Sequence, residues 1–322
     1  MLSRTASNLY WMARFIERAE NTARVLDVTY RMSLVNRNPE TADNEWFAPL
    51  HITGTLFPFQ GHYSLVCAEQ VLSFMALDRD NPSSIIACAQ QARENARSVR
   101  VNLTTEMWEV INGTWLELQA FNESKLHANP SAFFDWVKER SHLFRGVTRG
   151  TMHRSEATDF LSLGTFIERT DNTARILDVK YHVLLPSAED IGRAVDYYQW
   201  GAVLRSLSAF ETYKRIYRDV ISPQKVAELM MLSENFPRSL LYGMGRVLEL
   251  VESLAPGRRA EVVRQAGELY SRLRYARIQD IFNAGLHEYV TDYLDRISLL
   301  ATEIDTTFFT PPLVAQETTE VD

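Results

Sequence analysis

Phe15-Ile16-Glu17-Arg18-Ala19-Glu20-Asn21-Thr22-Ala23-Arg24-Val25-Leu26-Asp27-Val28-Thr29-Tyr30 returns later in the chain as Phe166-Ile167-Glu168-Arg169-Thr170-Asp171-Asn172-Thr173-Ala174-Arg175-Ile176-Leu177-Asp178-Val179-Lys180-Tyr181. Twelve of the sixteen positions are identical, and the other four are Ala/Thr, Glu/Asp, Val/Ile and Thr/Lys. The offset is 151 residues throughout (Phe15 to Phe166), which marks an internal duplication.

At about 100° per residue, Phe15, Ala19, Ala23, Leu26 and Tyr30 fall in one sector, with Ile16 at its edge. Glu17, Glu20, Asn21, Arg24 and Asp27 fall in the opposite sector. An apolar stripe kept in both copies is what any amphipathic helix requires. The polar stripe carries more information, because solvation asks only for polarity and here the identities themselves persist. Exposed i,i+4 pairs such as Glu20/Arg24 contribute only about 0.3–0.5 kcal/mol, too little to hold identities fixed. The face is therefore expected to be at least partly buried, in one of two ways. It forms an ion network between helices, or it lines a ligand or catalytic site. The residues concerned are Glu17, Arg18, Glu20, Asn21, Arg24 and Asp27, with Glu168, Arg169, Asp171, Asn172, Arg175 and Asp178 as their repeats.

The opening Met1-Leu2-Ser3-Arg4-Thr5-Ala6-Ser7-Asn8-Leu9-Tyr10-Trp11-Met12-Ala13-Arg14-Phe15-Ile16-Glu17-Arg18-Ala19-Glu20 resembles that of the bacterial alpha-E proteins, all-helical proteins named for a Glu-Arg motif. That motif corresponds here to Glu17-Arg18 and again to Glu168-Arg169. Arg93-Glu94-Asn95-Ala96-Arg97-Ser98-Val99-Arg100 and Phe144-Arg145-Gly146-Val147-Thr148-Arg149-Gly150-Thr151-Met152 are similar to further segments of that family. The resemblance runs over nearly the whole chain. It implies a neighbourhood of circularly permuted ATP-grasp ligases and transglutaminase-like proteins, and hence a part in making or modifying peptides.

The chain has 322 residues, 46% of them hydrophobic, enough for a sizeable core. Glycine (13) and proline (11) are scarce and long windows follow the 3.6-residue period, so the expected class is all-α. The duplication divides it into unit 1 (1–151), unit 2 (152–309) and a disordered acidic tail (310–322), with the two units packed as one pseudo-symmetric body. Helices are expected near 5–35, 43–57, 61–77, 83–112, 114–127 and 131–149 in the first unit. In the second they are expected near 155–184, 188–218, 223–232, 236–254, 258–284 and 286–309, with Ser155 able to cap the second motif helix.

A formal charge of −7 argues against a nucleic-acid or anionic-membrane surface. Cys67 and Cys88 fit no metal or disulfide spacing and read as buried thiols of a cytoplasmic protein. The chain lacks phosphate-loop glycines and a Gly-x-Ser-x-Gly elbow, and its histidines are scattered, so neither a metal nor a cofactor is expected. Arg93, Arg97 and Arg100 share one face of the expected helix 83–112, and the second unit has Leu248, Glu252 and Ala255 in their places. They are either a clamp for an anionic group on a substrate or partner, or the neutralising partners of the Glu17/Glu20/Asp27 face.

Three classes of function follow. The chain is a non-catalytic subunit that binds a ligase or presents a peptide or amino acid to it. Alternatively it is an enzyme with Glu17 or Glu168 as acid/base, or a structural oligomer built on an ion network. Whether it forms a homo-oligomer stays open from sequence.

Overall fold

The computed structural model describes residues 1–35, 44–182, 194–255 and 261–310, and among these the regular structure is helical throughout. The stretches around Pro39, Pro186 and Pro256-Gly257, and the tail from 311 onward, lie outside the described residues. The duplicated stretches form the two longest helices, α1 (Ser3–Val35) and α9 (Glu156–His182). Between them run α2 (Phe47–Ile52), α3 (Leu56–His62), α4 (Ala68–Ala76), α5 (Ile85–Ser98), α6 (Thr105–Leu118), α7 (Glu123–Ala128) and α8 (Pro130–Thr151). After α9 come α10 (Ala194–Ser206), α11 (Phe210–Tyr217), α12 (Pro223–Leu232), α13 (Leu240–Leu254), α14 (Glu261–Arg274), α15 (Ile278–Ala284) and α16 (Leu286–Ile304).

Several expected helices are split. The one expected over 43–57 stops at Gly54, whose φ of +67° suits a residue without a Cβ. The one expected over 83–112 ends at Ser98, and Thr104 then starts α6 by accepting the Met107 N–H. The one expected over 188–218 is interrupted at Ser208, which adopts a left-handed φ of 54°. At the start of α9 Ser155 does not supply the capping oxygen. Its own N–H donates to Thr158 Oγ1 instead.

α1 packs on α5, α8 and α9, while α9 packs on α1, α13 and α16. α1 and α9 approach so closely that a Cβ on Gly164 would lie 2.2 Å from the Tyr10 carbonyl oxygen. The start of α1 (Ala6, Leu9, Tyr10, Met12) joins a core built mainly by the second half of the chain. Further along, Ala19, Ala23 and Leu26 join a separate core with Trp46, Phe59, Phe74, Phe133 and Phe134. One amphipathic helix thus serves two cores and carries its polar stripe between helices rather than to solvent. Among the described residues no helix is long and apolar enough to cross a membrane.

The motif ion network and an adjoining cleft

Where α1 crosses α9, the two Glu-Arg dipeptides exchange partners. Arg169 donates to Glu17 through Nε (2.9 Å) and Nη2 (2.8 Å). Arg18 donates to Glu168 in the same two-pronged way, through Nε (2.5 Å) and Nη2 (3.0 Å). Adjacent residues on a helix point about 100° apart, so one dipeptide can present its acid and its base to different parts of the partner helix. Two-pronged pairing fixes orientation as well as charge.

The first motif is then saturated from both flanks. Arg238, just before α13, donates to Glu17 (3.2 Å), Glu20 (2.6 Å) and the Asn21 side-chain oxygen (3.0 Å). Arg145, on α8, donates to Glu17 (2.9 Å) and Glu20 (2.5 Å). Glu20 also accepts from Arg24 on its own helix and from Ser141. Glu17 is 1% exposed and Glu20 is fully buried. Burial alone would push both carboxyls up. At Glu17 the Arg169 and Arg238 guanidiniums outweigh that penalty and hold it below the ordinary carboxylate range. Glu20 is held well below that range, by the His142 hydrogen bond, Arg238, Arg145 and Arg24. Arg238 shows the opposite balance. Its burial outweighs the pull of Glu17 and Glu20 and brings it down to about 10, which leaves it charged at neutral pH.

The second motif is arranged differently. Burial would raise Glu168, but Arg18 and Arg14 bring it down to about 2, the Arg14 Nε donating at 2.8 Å. Asp171, which stands where the first copy has Glu20, accepts among the described residues only from Arg175 of its own helix (2.8 and 3.3 Å). Arg175 is 41% exposed, so the expectation that it would be buried with partners from other helices is not met. Beside Glu168, Asp171, Asn172 and Arg175 opens a cleft of about 630 Å³, walled also by Arg14, Arg18, Asn21 and α16.

The remaining residues singled out from the sequence lie elsewhere. Asp27 pairs with Arg31 (2.8 Å) and Lys138 (2.9 Å), and Asp178 with His287 (2.6 Å). Arg24 reaches Ser208 (2.5 Å) and His142 (3.2 Å) besides Glu20. Arg93, Arg97 and Arg100 do not lie on one helix, because α5 ends at Ser98. Arg93 donates to Asn112 and Glu94, Arg97 pairs with Glu94 while 68% exposed, and Arg100 lies 5.7 Å over the Trp108 ring. The arginines that reach Glu17 and Glu20 from outside α1 are instead Arg145, Arg169 and Arg238. Of the arginines that converge on the motifs from outside the duplicated stretches, Arg14, Arg145 and Arg238, none was singled out by spacing. Each comes from a different stretch, and an arginine in an arginine-rich chain carries no periodic signal. Among the described residues no group of three or more His, Cys, Asp or Glu is placed to hold a metal.

The family model Alpha-E, described as a predicted alpha-helical domain with a conserved ER motif, matches residues 1–309. Uncharacterised proteins of Mycobacterium bovis and Mycobacterium tuberculosis are each 24% identical over 298 residues, covering 86% of this chain and 33% of the relative. The chain thus spans about one third of the length of these curated relatives. No solved structure matches it.

Proposed function

The chain belongs to the Alpha-E family, and from that premise we propose that it is a non-catalytic cytoplasmic subunit serving a circularly permuted ATP-grasp-type ligase, with a transglutaminase-like protein as a second candidate partner. Its body is two pseudo-symmetric repeats, 1–151 and 152–309, closed on each other through the motif helices. The reciprocal pairs Glu17–Arg169 and Glu168–Arg18 support that symmetry.

The observation that carries the non-catalytic reading is the state of the motif carboxylates. A general acid or base works best with a pKa near the operating pH. Glu168 at about 2, and Glu17 and Glu20 below their ordinary range, are instead ionised, buried and tied to guanidiniums. Such carboxylates have no proton to give at neutral pH and little basicity to offer. They orient helices, and the chain's contribution is a rigid helical surface for its partner.

The test mixes the purified chain with a circularly permuted ATP-grasp-type ligase of the same organism and, separately, with a transglutaminase-like protein of that organism, measuring association by size-exclusion chromatography and product formation by mass spectrometry. The expected result is a complex with the ligase, and product only when the ligase is present. Product from the chain alone would overturn the reading in favour of an enzyme.

A further inference from the structure

The two motif faces are copies, yet one is plugged and the other is open, and two substitutions account for the difference. Ser84 and Ser239 cap α5 and α13 in the same way. Each accepts a backbone N–H from three residues on (Ala87, Tyr242) and donates its hydroxyl to the carbonyl six residues back (Asp78, Ser233). The residue before each cap is therefore equivalent, and it is Arg238 in one half and Ser83 in the other. On the flanking helices, the buried positions Phe134, Val137, Ser141 and Phe144 of α8 fall in step with Val290, Tyr293, Ile297 and Leu300 of α16. That register sets Arg145 against Ala301.

Where the first motif has two guanidiniums over Glu17 and Glu20, Arg145 from its own half and Arg238 from the other, the second motif thus has Ala301 from its own half and Ser83 from the other, and both line the cleft. Asp171 lacks the donors that Arg238 and Arg145 give to Glu20. The cleft wall also holds Asn21, 2% exposed, whose side-chain oxygen is taken by Arg238. The charged side chains of the lining balance, with Arg14, Arg18 and Arg175 against Glu168, Asp171 and Asp305. A cleft of about 630 Å³ lies in the range that holds small molecules.

We propose that this cleft is a binding site for a small zwitterion of the amino-acid class. Its guanidinium or ammonium group lies against Asp171, in the place the arginines fill at the first motif, and its carboxylate is met by the exposed Arg175. A cation that takes Asp171 leaves the Arg175 guanidinium to be answered, as the ligand's carboxylate does, whereas a net anion would have to displace Asp171 from Arg175. The site stands on the comparison of the two halves and not on the ligase partnership, which is measured by association without any added ligand, so either can fail alone.

The test is isothermal titration calorimetry on the full chain with L-arginine, with agmatine as a cation lacking the carboxylate and with acetate as an anion lacking the cation. L-arginine is expected to bind saturably at one site, with agmatine and acetate at least tenfold weaker. Ser83→Arg rebuilds at the second motif the plug that Arg238 supplies at the first, so that variant is expected to fold and to lose L-arginine binding at least tenfold, as is Asp171→Asn. Circular dichroism confirms that each variant is folded. Absence of saturable L-arginine binding to the wild type overturns the proposal. So does agmatine binding as tightly as L-arginine, or undiminished binding by folded Ser83→Arg.

Discussion

Arg238 touches three side chains of α1 and lies in the interior, while Arg175, at a motif position, holds one carboxylate of its own helix at the surface. The energetic consequences differ in kind. Removing one member of a buried ion pair leaves an uncompensated charge and costs about 3–5 kcal/mol, whereas an exposed pair is worth under about 1 kcal/mol. Arg238→Ala is therefore expected to lower stability by several kcal/mol in chemical denaturation, and Arg175→Ala by less than about 1 kcal/mol. Equal effects of the two variants would contradict the burial contrast between the motif copies.

At the scale of elements, the contact between α1 and α9 depends on a residue without a side chain. Replacing glycine by alanine inside a helix ordinarily gains about 0.5–1 kcal/mol. At Gly164 the added methyl would meet a backbone carbonyl at 2.2 Å, and overpacking of this kind costs about 1–3 kcal/mol. Gly146 on α8 has nothing within 4 Å of the same methyl. Gly146→Ala should therefore raise the thermal midpoint and Gly164→Ala should lower it, with a loss of the Arg18–Glu168 and Arg169–Glu17 pairing geometry. Differential scanning calorimetry reads both, and a stabilised Gly164→Ala would show that the two helices are not in close contact. The helix boundaries teach a related lesson. The 3.6-residue period marks α5 and α6 as helical, but the break between them depends on Thr104 accepting the Met107 N–H, a local bond that periodicity does not register.

For the whole molecule, the motif carboxylates bind the halves together, and acid should separate them. Glu17, Glu20 and Glu168 all titrate lower in the folded chain than the ordinary value of about 4.3. A depressed folded pKa contributes stability that is fully present above the unfolded pKa and is lost as pH falls toward the folded one. Stability should thus hold down to about pH 5 and fall between there and about pH 2, the value to which Glu168 is brought down. Because Glu17 reaches into the second half and Glu168 into the first, circular dichroism and tryptophan fluorescence should report one coincident acid transition. Two separate transitions would mean that the halves are independent.

The sequence by itself determined the helical class, the duplicated motif, and which of its residues stand on the polar stripe, because these follow from composition, identity at a fixed offset and the geometry of one helix. Glu17, Arg18, Glu168 and Arg169 were legible in that way. What only the tertiary structure decided is which partner each charge meets. Arg14, Arg145 and Arg238 come from stretches whose convergence on the motifs is a property of packing, and helical periodicity does not distinguish them from the other arginines. The difference between a plugged and an open copy was equally out of reach. It turns on Ser83 and Ala301, two small residues that are unremarkable in sequence and acquire meaning only when the helices that carry them are laid over Glu168 and Asp171.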